Sequence, residues 1–216
     1  MNIKYLLVKH IKPKFFYPFK IKPSPSFILD IGVANNSYRE FKNIYPSAVY
    51  HGIDYVKSDV EFEKEDKFFL ENLESLDALK GLSPIYDMIV INHVLEHLSN
   101  GNEIFSRLCS LLAPEGVLYA EFPSIRTAYK RKTKTSYHFH DDPTHKTFYI
   151  IENLANMAIF ADCKIVSCGP VSTKLKNWLS SVRACIAWVS GKPYEPYLLH
   201  KQKKIDHILL RRNKGN

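Results

Sequence analysis

Glycine is scarce in this sequence, with eight among 216 residues. The one loop that looks built to cradle a nucleotide, "LDIGVANNS" at Leu29–Ser37, has Ala34 and Asn36 where such loops carry their second and third glycines. The four cysteines (Cys109, Cys163, Cys168, Cys185) form no C-x-x-C pair, which points to reduced, partly buried thiols. No apolar run approaches the ~20 residues needed to cross a bilayer. Carboxylates are missing from residues 1–23, which hold six lysines, and lysines and prolines break the short apolar runs there. That makes the N-terminus a poor signal peptide and the expected location cytoplasmic, with a membrane surface as the one alternative.

What is present describes a folded domain. Hydrophobic residues make up 45% and aromatics 13%, too apolar for a disordered chain, and the length suits one medium domain. The prolines at 13, 18, 23 and 25 predict an irregular basic lead-in over 1–25 and a single domain over 26–216. The net charge of +8 is segregated: residues 174–216 carry ten Lys/Arg against two acids, so the middle of the chain is acidic. Basic ends on an acidic body suit contact with a polyanion or an anionic surface. A smaller basic cluster, "RTAYKRKTK" at Arg126–Lys134, falls in an expected long loop.

From Phe27 onward apolar runs alternate with helix-like segments. Strands are predicted at Phe27–Ile31, Val49–Asp54, Lys67–Leu70, "YDMIVIN" (86–92), "VLYAEFP" (117–123), "CKIVSC" (163–168) and "IDHILLRR" (205–212). Helices are predicted at Ser37–Ile44 with Asn36 or Ser37 as N-cap, through "ESLDALKG", from "NHVLEHL" to about Leu112 before the turn "APEG", and over Ile150–Ala161. Asn177–Val189 shows an apolar i, i+3/i+4 stripe with Trp178 and Trp188; packing on the sheet is the favoured reading and a membrane surface the other. This alternation predicts an α/β fold with a mostly parallel sheet.

In such folds ligands bind beyond the carboxyl ends of the strands. Gly32-x-Ala34-x-x-Ser37 imitates a dinucleotide loop, with Asp54 placed for a ribose diol. Asp30, two residues before the glycine, argues otherwise, since a carboxylate there would repel a pyrophosphate and attract a cationic ligand. S-adenosylmethionine is cationic and lacks phosphate. Without a pyrophosphate to approach, the missing glycines matter less.

Here the sequence resembles the class I S-adenosylmethionine-dependent methyltransferases over roughly residues 27–170. "LDIGVAN" is similar to their first motif and "HGIDY" to their second-strand motif. "YDMIVINHVLEHL" followed by "LLAPEGVLYAEFP" resembles their fourth strand, the helix after it, and the turn into strand five. The resemblance implies a Rossmann-like sheet of seven strands, mostly parallel, with an antiparallel terminal strand. It also implies S-adenosylmethionine as cofactor, held by Asp30, Gly32, Ala34, Asn35, Asp54, Tyr55, Glu71, Asn72 and Asn92.

Methyl transfer to a hydroxyl needs an aligned acceptor and a base or Lewis acid. Two clusters offer these. On a helix, His93, Glu96 and His97 would share one face at i, i+3, i+4. "HFHDDPTHKTF" packs His138, His140, Asp141, Asp142 and His145 into an irregular loop. Joined in space, Glu96, His97 and His145, with His93 beside them, would make a site for Mg²⁺ or Mn²⁺. That set is similar to the E-x-x-E-H helix and later His of the metal-dependent small-RNA terminal 2′-O-methyltransferases, with His93 in place of their first Glu. The metal-free reading makes His145 a general base oriented by Asp141 or Asp142; a structural role for the histidines is the third. His145, Asp142 and His93 are the candidate catalytic residues.

"HDDPTHKTFY" beside the compact core resembles methyltransferases of polysaccharide biosynthesis, which implies a sugar hydroxyl of a glycan or glycan precursor as acceptor. The other readings are RNA 2′-O-methylation, a small-molecule acceptor, and a cofactor-binding partner subunit without catalysis.

Overall fold

The computed structural model describes residues 11–33, 36–83, 85–129, 138–171, 174–192 and 204–214, with backbone alone for 174–176. Its frame is one sheet whose strands are β1 (Phe27–Ile31), β2 (Val49–Asp54), β3 (Lys67–Leu70), β4 (Tyr86–Asn92), β5 (Leu112–Pro123), β6 (Cys163–Pro170) and β7 (Ile205–Arg212). The spatial order is β3-β2-β1-β4-β5-β7-β6. β1 to β5 are parallel, while β7 lies antiparallel to both β5 and β6. This is the seven-stranded, mostly parallel Rossmann-like sheet that the sequence led us to expect.

Both faces of the central strands β1, β4, β5 and β7 are buried, which explains their continuous apolar runs. The period of two deals side chains to two cores. Leu29, Ile31, Ile89, Ile91, Leu118, Ala120 and Phe122 enter one core, whereas Ile28, Met88, Val90, Val117 and Tyr119 enter the other. The helices are α1 (Pro13–Ile21), α2 (Ser37–Ile44), α3 (Gly101–Ser110), the single turn α4 (Arg126–Tyr129), α5 (Ile151–Phe160) and α6 (Lys174–Val189). α3 and α5 supply the first core through Ile104, Phe105, Leu108, Leu154 and Ala158; α1 and α2 supply the second through Phe15, Phe41 and Ile44.

Several elements differ from expectation. Within the expected irregular lead-in, residues 13–21 form a helix: Pro13 opens α1 at a position where a missing N–H costs nothing, and Phe15 is fully buried against Phe41, with ring centroids 4.8 Å apart. "ESLDALKG" contracts to a 3₁₀ turn at Leu76–Leu79, with the Ser75 hydroxyl accepting the Asp77 N–H. "APEG" is a bulge inside β5, because Leu112 to Val117 spans the same stretch as Tyr86 to Met88 on β4. "NHVLEHL" is not a helix. His93 takes a left-handed φ of 53°, Leu95–His97 forms one 3₁₀ turn, Leu98 is extended, and α3 begins only at Gly101 after Asn100.

Candidate active site

The strand order reverses between β1 and β4, and the loops leaving these strands part at that point. A cleft of about 760 Å³ lies there, within the range of small-molecule sites. Its walls include Gly32, Asp54, Tyr55, Glu71, Asn72, Asn92, His93, His97 and Asp142, nine of the residues expected from sequence. Ala34 and Asn35 lie outside the described residues.

Gly32 has φ +76°, and a Cβ there would sit 2.5 Å from Val94 Cγ2, so only glycine fits. At the end of β2 the Asp54 carboxylate accepts the Val56 N–H at 2.9 Å, which fixes it at the cleft wall. Asn92 ends β4 with its Oδ1 buried and without a hydrogen-bond partner among the described residues. Such an atom calls for a polar ligand group. A carboxylate at the end of β2, an orphaned amide oxygen, and a glycine that keeps the floor open together fit S-adenosylmethionine.

Asp30 is corrected. It does not line the cleft; it is 3% exposed and accepts hydrogen bonds from the Tyr50 hydroxyl at 2.7 Å and from Ser37 Oγ. Pleat alternation explains this, because residue 30 falls on the same face of β1 as Ile28 in the second core. Burial raises its pKa, although Lys14, Ser37 and Tyr50 pull the other way. Asp30 therefore ties β1 to β2 and α2 rather than touching the cofactor.

The two histidine clusters do meet. Lys146 N–H and Thr147 N–H both donate to the Glu96 carbonyl, at 2.7 and 3.2 Å, pinning the 138–149 segment to the 3₁₀ turn. One donor atom each from Glu96, His97 and His145 then lies within 4.8 Å of the others. Hydrogen bonds set both ring tautomers. His145 Nδ1 lies 2.7 Å from the Phe139 carbonyl, which can only accept, so Nδ1 carries the proton and Nε2 the lone pair. Thr144 Oγ1 donates its one proton to Asp142, so His97 Nδ1, 2.8 Å away, must donate to Thr144 and leave Nε2 a lone pair. Glu96 is 1% exposed, with Oε1 3.2 Å from His93 Nδ1 and Oε2 unpartnered among the described residues. Three potential ligand side chains converge, and each histidine keeps a lone pair on Nε2, an arrangement suited to a divalent cation.

His93 does stand beside Glu96, although a left-handed turn and not a helix brings it there, and it is not one of the three converging donors. It projects from the left-handed turn into the cleft wall, 40% exposed, with Nε2 3.8 Å from Glu121. Asp142 does not orient His145: it is 3.9 Å from Nε2, and Thr144 binds it through both hydroxyl and N–H. Those two bonds hold its carboxyl below the usual range. The Asp141 carboxylate accepts the His138 N–H, so a backbone carbonyl orients His145 instead. Sequence reading missed the Lys146–Glu74 ion pair at 2.5 Å on the cleft wall, which joins residues 72 positions apart with no local signal.

The sheet order, the cleft at its switch point and the carboxylate that ends β2 at the cleft wall are the features of the S-adenosylmethionine-dependent methyltransferase class. A family model described as a methyltransferase domain matches residues 6–167, and the chain belongs to that family. Solved structures of the same fold include an S-adenosylmethionine-dependent methyltransferase from Archaeoglobus fulgidus (19% identity, TM-score 0.59, 96% of this chain and 94% of that one). Others are the N-methyltransferase NodS of Bradyrhizobium japonicum with S-adenosylhomocysteine (12%, 0.57, 97% and 86%) and the 1,6-didemethyltoxoflavin-N1-methyltransferase of Burkholderia thailandensis with its substrate and S-adenosylhomocysteine (13%, 0.58, 95% and 79%). No curated protein matches significantly.

Proposed function

We propose that the protein methylates a sugar hydroxyl of a glycan or glycan precursor, assisted by a divalent cation held by Glu96, His97 and His145. The observation that carries this reading is the convergence of three donors, two with tautomers fixed to leave Nε2 bare, beside the cofactor cleft. Bound S-adenosylmethionine supplies an electrophilic methyl, and a cation would lower the acceptor hydroxyl's pKa and engage a vicinal diol. Asp54 holds the ribose hydroxyls, and Asn92 Oδ1 accepts from the cofactor's polar end. The Lys146–Glu74 pair and Thr144 also line the cleft, where they are available to an acceptor's polar groups.

The test combines binding with turnover. Mn²⁺ should bind the full chain in calorimetry, and Glu96→Gln should weaken it more than about tenfold. EDTA should abolish methylation of glycosides carrying vicinal hydroxyls, with Mn²⁺ or Mg²⁺ restoring it. Full activity in chelator would remove the cation and leave His145 Nε2 as the base. Transfer to nucleoside-ended RNA alone would sink the glycan acceptor. S-adenosylmethionine binding without turnover on any acceptor would make the chain a non-catalytic partner subunit.

A further inference from the structure

α6 wears its apolar side outward. Among the described side chains Ala184 and Ala187 are its buried residues, with Asn177 and Ser180 half-buried on the same side. The large residues face solvent: Trp178 is 62% exposed, Ile186 61%, Val189 78% and Trp188 69%, and Val182 and Cys185 are exposed as well. At about 100° per residue, Trp178, Val182, Cys185, Ile186 and Val189 fall within an arc of about 100° opposite the two alanines. A helix serving only the protein core has the reverse arrangement. The favoured expectation that this stripe packs on the sheet is therefore overturned. A continuous exposed apolar face of this kind marks a docking surface.

Charge selects what covers it. Across α6 the sequence KLKNWLSSVRACIAWV contains two lysines, one arginine and no carboxylate, and residues 174–216 hold ten basic residues against two acids. The occupant must offer negative charge and an apolar medium together. A second copy would set one basic segment against another. A nucleic acid would match the charge but leave Ile186 and Val189 in water. An anionic bilayer surface offers both, and tryptophans favour its headgroup boundary. Sixteen residues span about 24 Å as a helix, and no described helix is long and apolar enough to cross a membrane. We propose that α6 is a surface anchor that lies in the plane of an anionic membrane, with Trp178, Val182, Ile186 and Val189 in the headgroup–acyl boundary.

The test uses an internal reporter, since both tryptophans of the chain lie on this helix. Vesicles of equimolar phosphatidylglycerol and phosphatidylcholine should shift tryptophan emission of the full chain to the blue and carry it down on sedimentation. Pure phosphatidylcholine vesicles should bind about tenfold more weakly or worse. Ile186→Asp, at an exposed position with both tryptophans retained, should lose anionic-vesicle binding by about tenfold while keeping the wild-type melting temperature. No shift with anionic vesicles, or equal binding by Ile186→Asp, overturns the proposal. So does a blue shift that grows with protein concentration alone, which would assign the face to a second copy, or an equal shift with an RNA oligonucleotide.

Discussion

At Gly32 two independent constraints meet, a left-handed φ and a Cβ position 2.5 Å from Val94 Cγ2. Gly32→Ala should destabilise the fold by about 1–3 kcal/mol and weaken S-adenosylmethionine binding, read by denaturant unfolding and calorimetry. Adding Val94→Ala should recover only part of the loss, because the backbone strain stays; complete recovery would mean that the clash alone matters. Asp54→Ala should cost about 1.5–3 kcal/mol of cofactor affinity, one to two orders of magnitude in Kd, and unchanged affinity would end its ribose role. The place of Asp54, Glu71 and Asn92 on the cleft wall was legible because each stands at the carboxyl end of a strand or just beyond it, where folds of this kind open their clefts. Asp30 was misread because the direction of its side chain depends on the pleat and on Tyr50, which no local motif records.

Elements were legible where their burial was simple. "YDMIVIN" is buried on both faces, and its run of apolar residues could hardly be anything but a central strand. The segment after it was misread because Leu95, Leu98 and Phe105 are all buried and so imitate a helical stripe. The chain instead turns at His93 and restarts at Asn100, which places Glu96 and His97 in one tight turn facing the histidine loop. β7 illustrates an element whose chemistry can be titrated. His207 is 2% exposed, stacks on Tyr17 of α1 at 4.1 Å, and is 3.1 Å from Ser167 Oγ. Burial pushes its pKa down to about 4 from the ordinary 6.5. The unfolded chain therefore takes up the proton first as pH falls. The stabilisation from keeping the ring neutral is complete above about pH 6.5 and is lost towards pH 4, on the order of 3 kcal/mol in all. In urea titrations between pH 7 and 4.5, His207→Phe should flatten this slope, at the cost of about 1 kcal/mol for the Ser167 hydroxyl left without that partner. An unaltered slope in the variant would place the acid sensitivity elsewhere.

Across the whole molecule, the sheet separates two tasks. One face and the carboxyl ends of the strands carry the cleft and the histidine cluster, while the other face is closed by α1 and α2. The alternation of strands and helices made this architecture readable, yet the element that completes it, α1, was hidden by its own prolines. Pro13 is helix-opening and Pro18 is buried, so both suit a docked helix, but a proline-rich basic stretch reads locally as a linker. The docking makes a definite demand. Phe15 is fully buried against Phe41, and Lys14 donates to Ser37 Oγ, the hydroxyl that bonds Asp30, so α1 reaches the base of the β1 network. Phe15→Ala should then cost about 3–5 kcal/mol, a fall of roughly 10 °C or more in Tm for a chain of this size. Lys20→Ala, at an exposed position on the same helix, should stay within about 0.5 kcal/mol. If both variants melt like the parent, α1 is not part of the folded unit and the second core is open. If Phe15→Ala alone falls, residues 13–21 belong to the domain, and a fragment beginning at residue 26 should fold poorly.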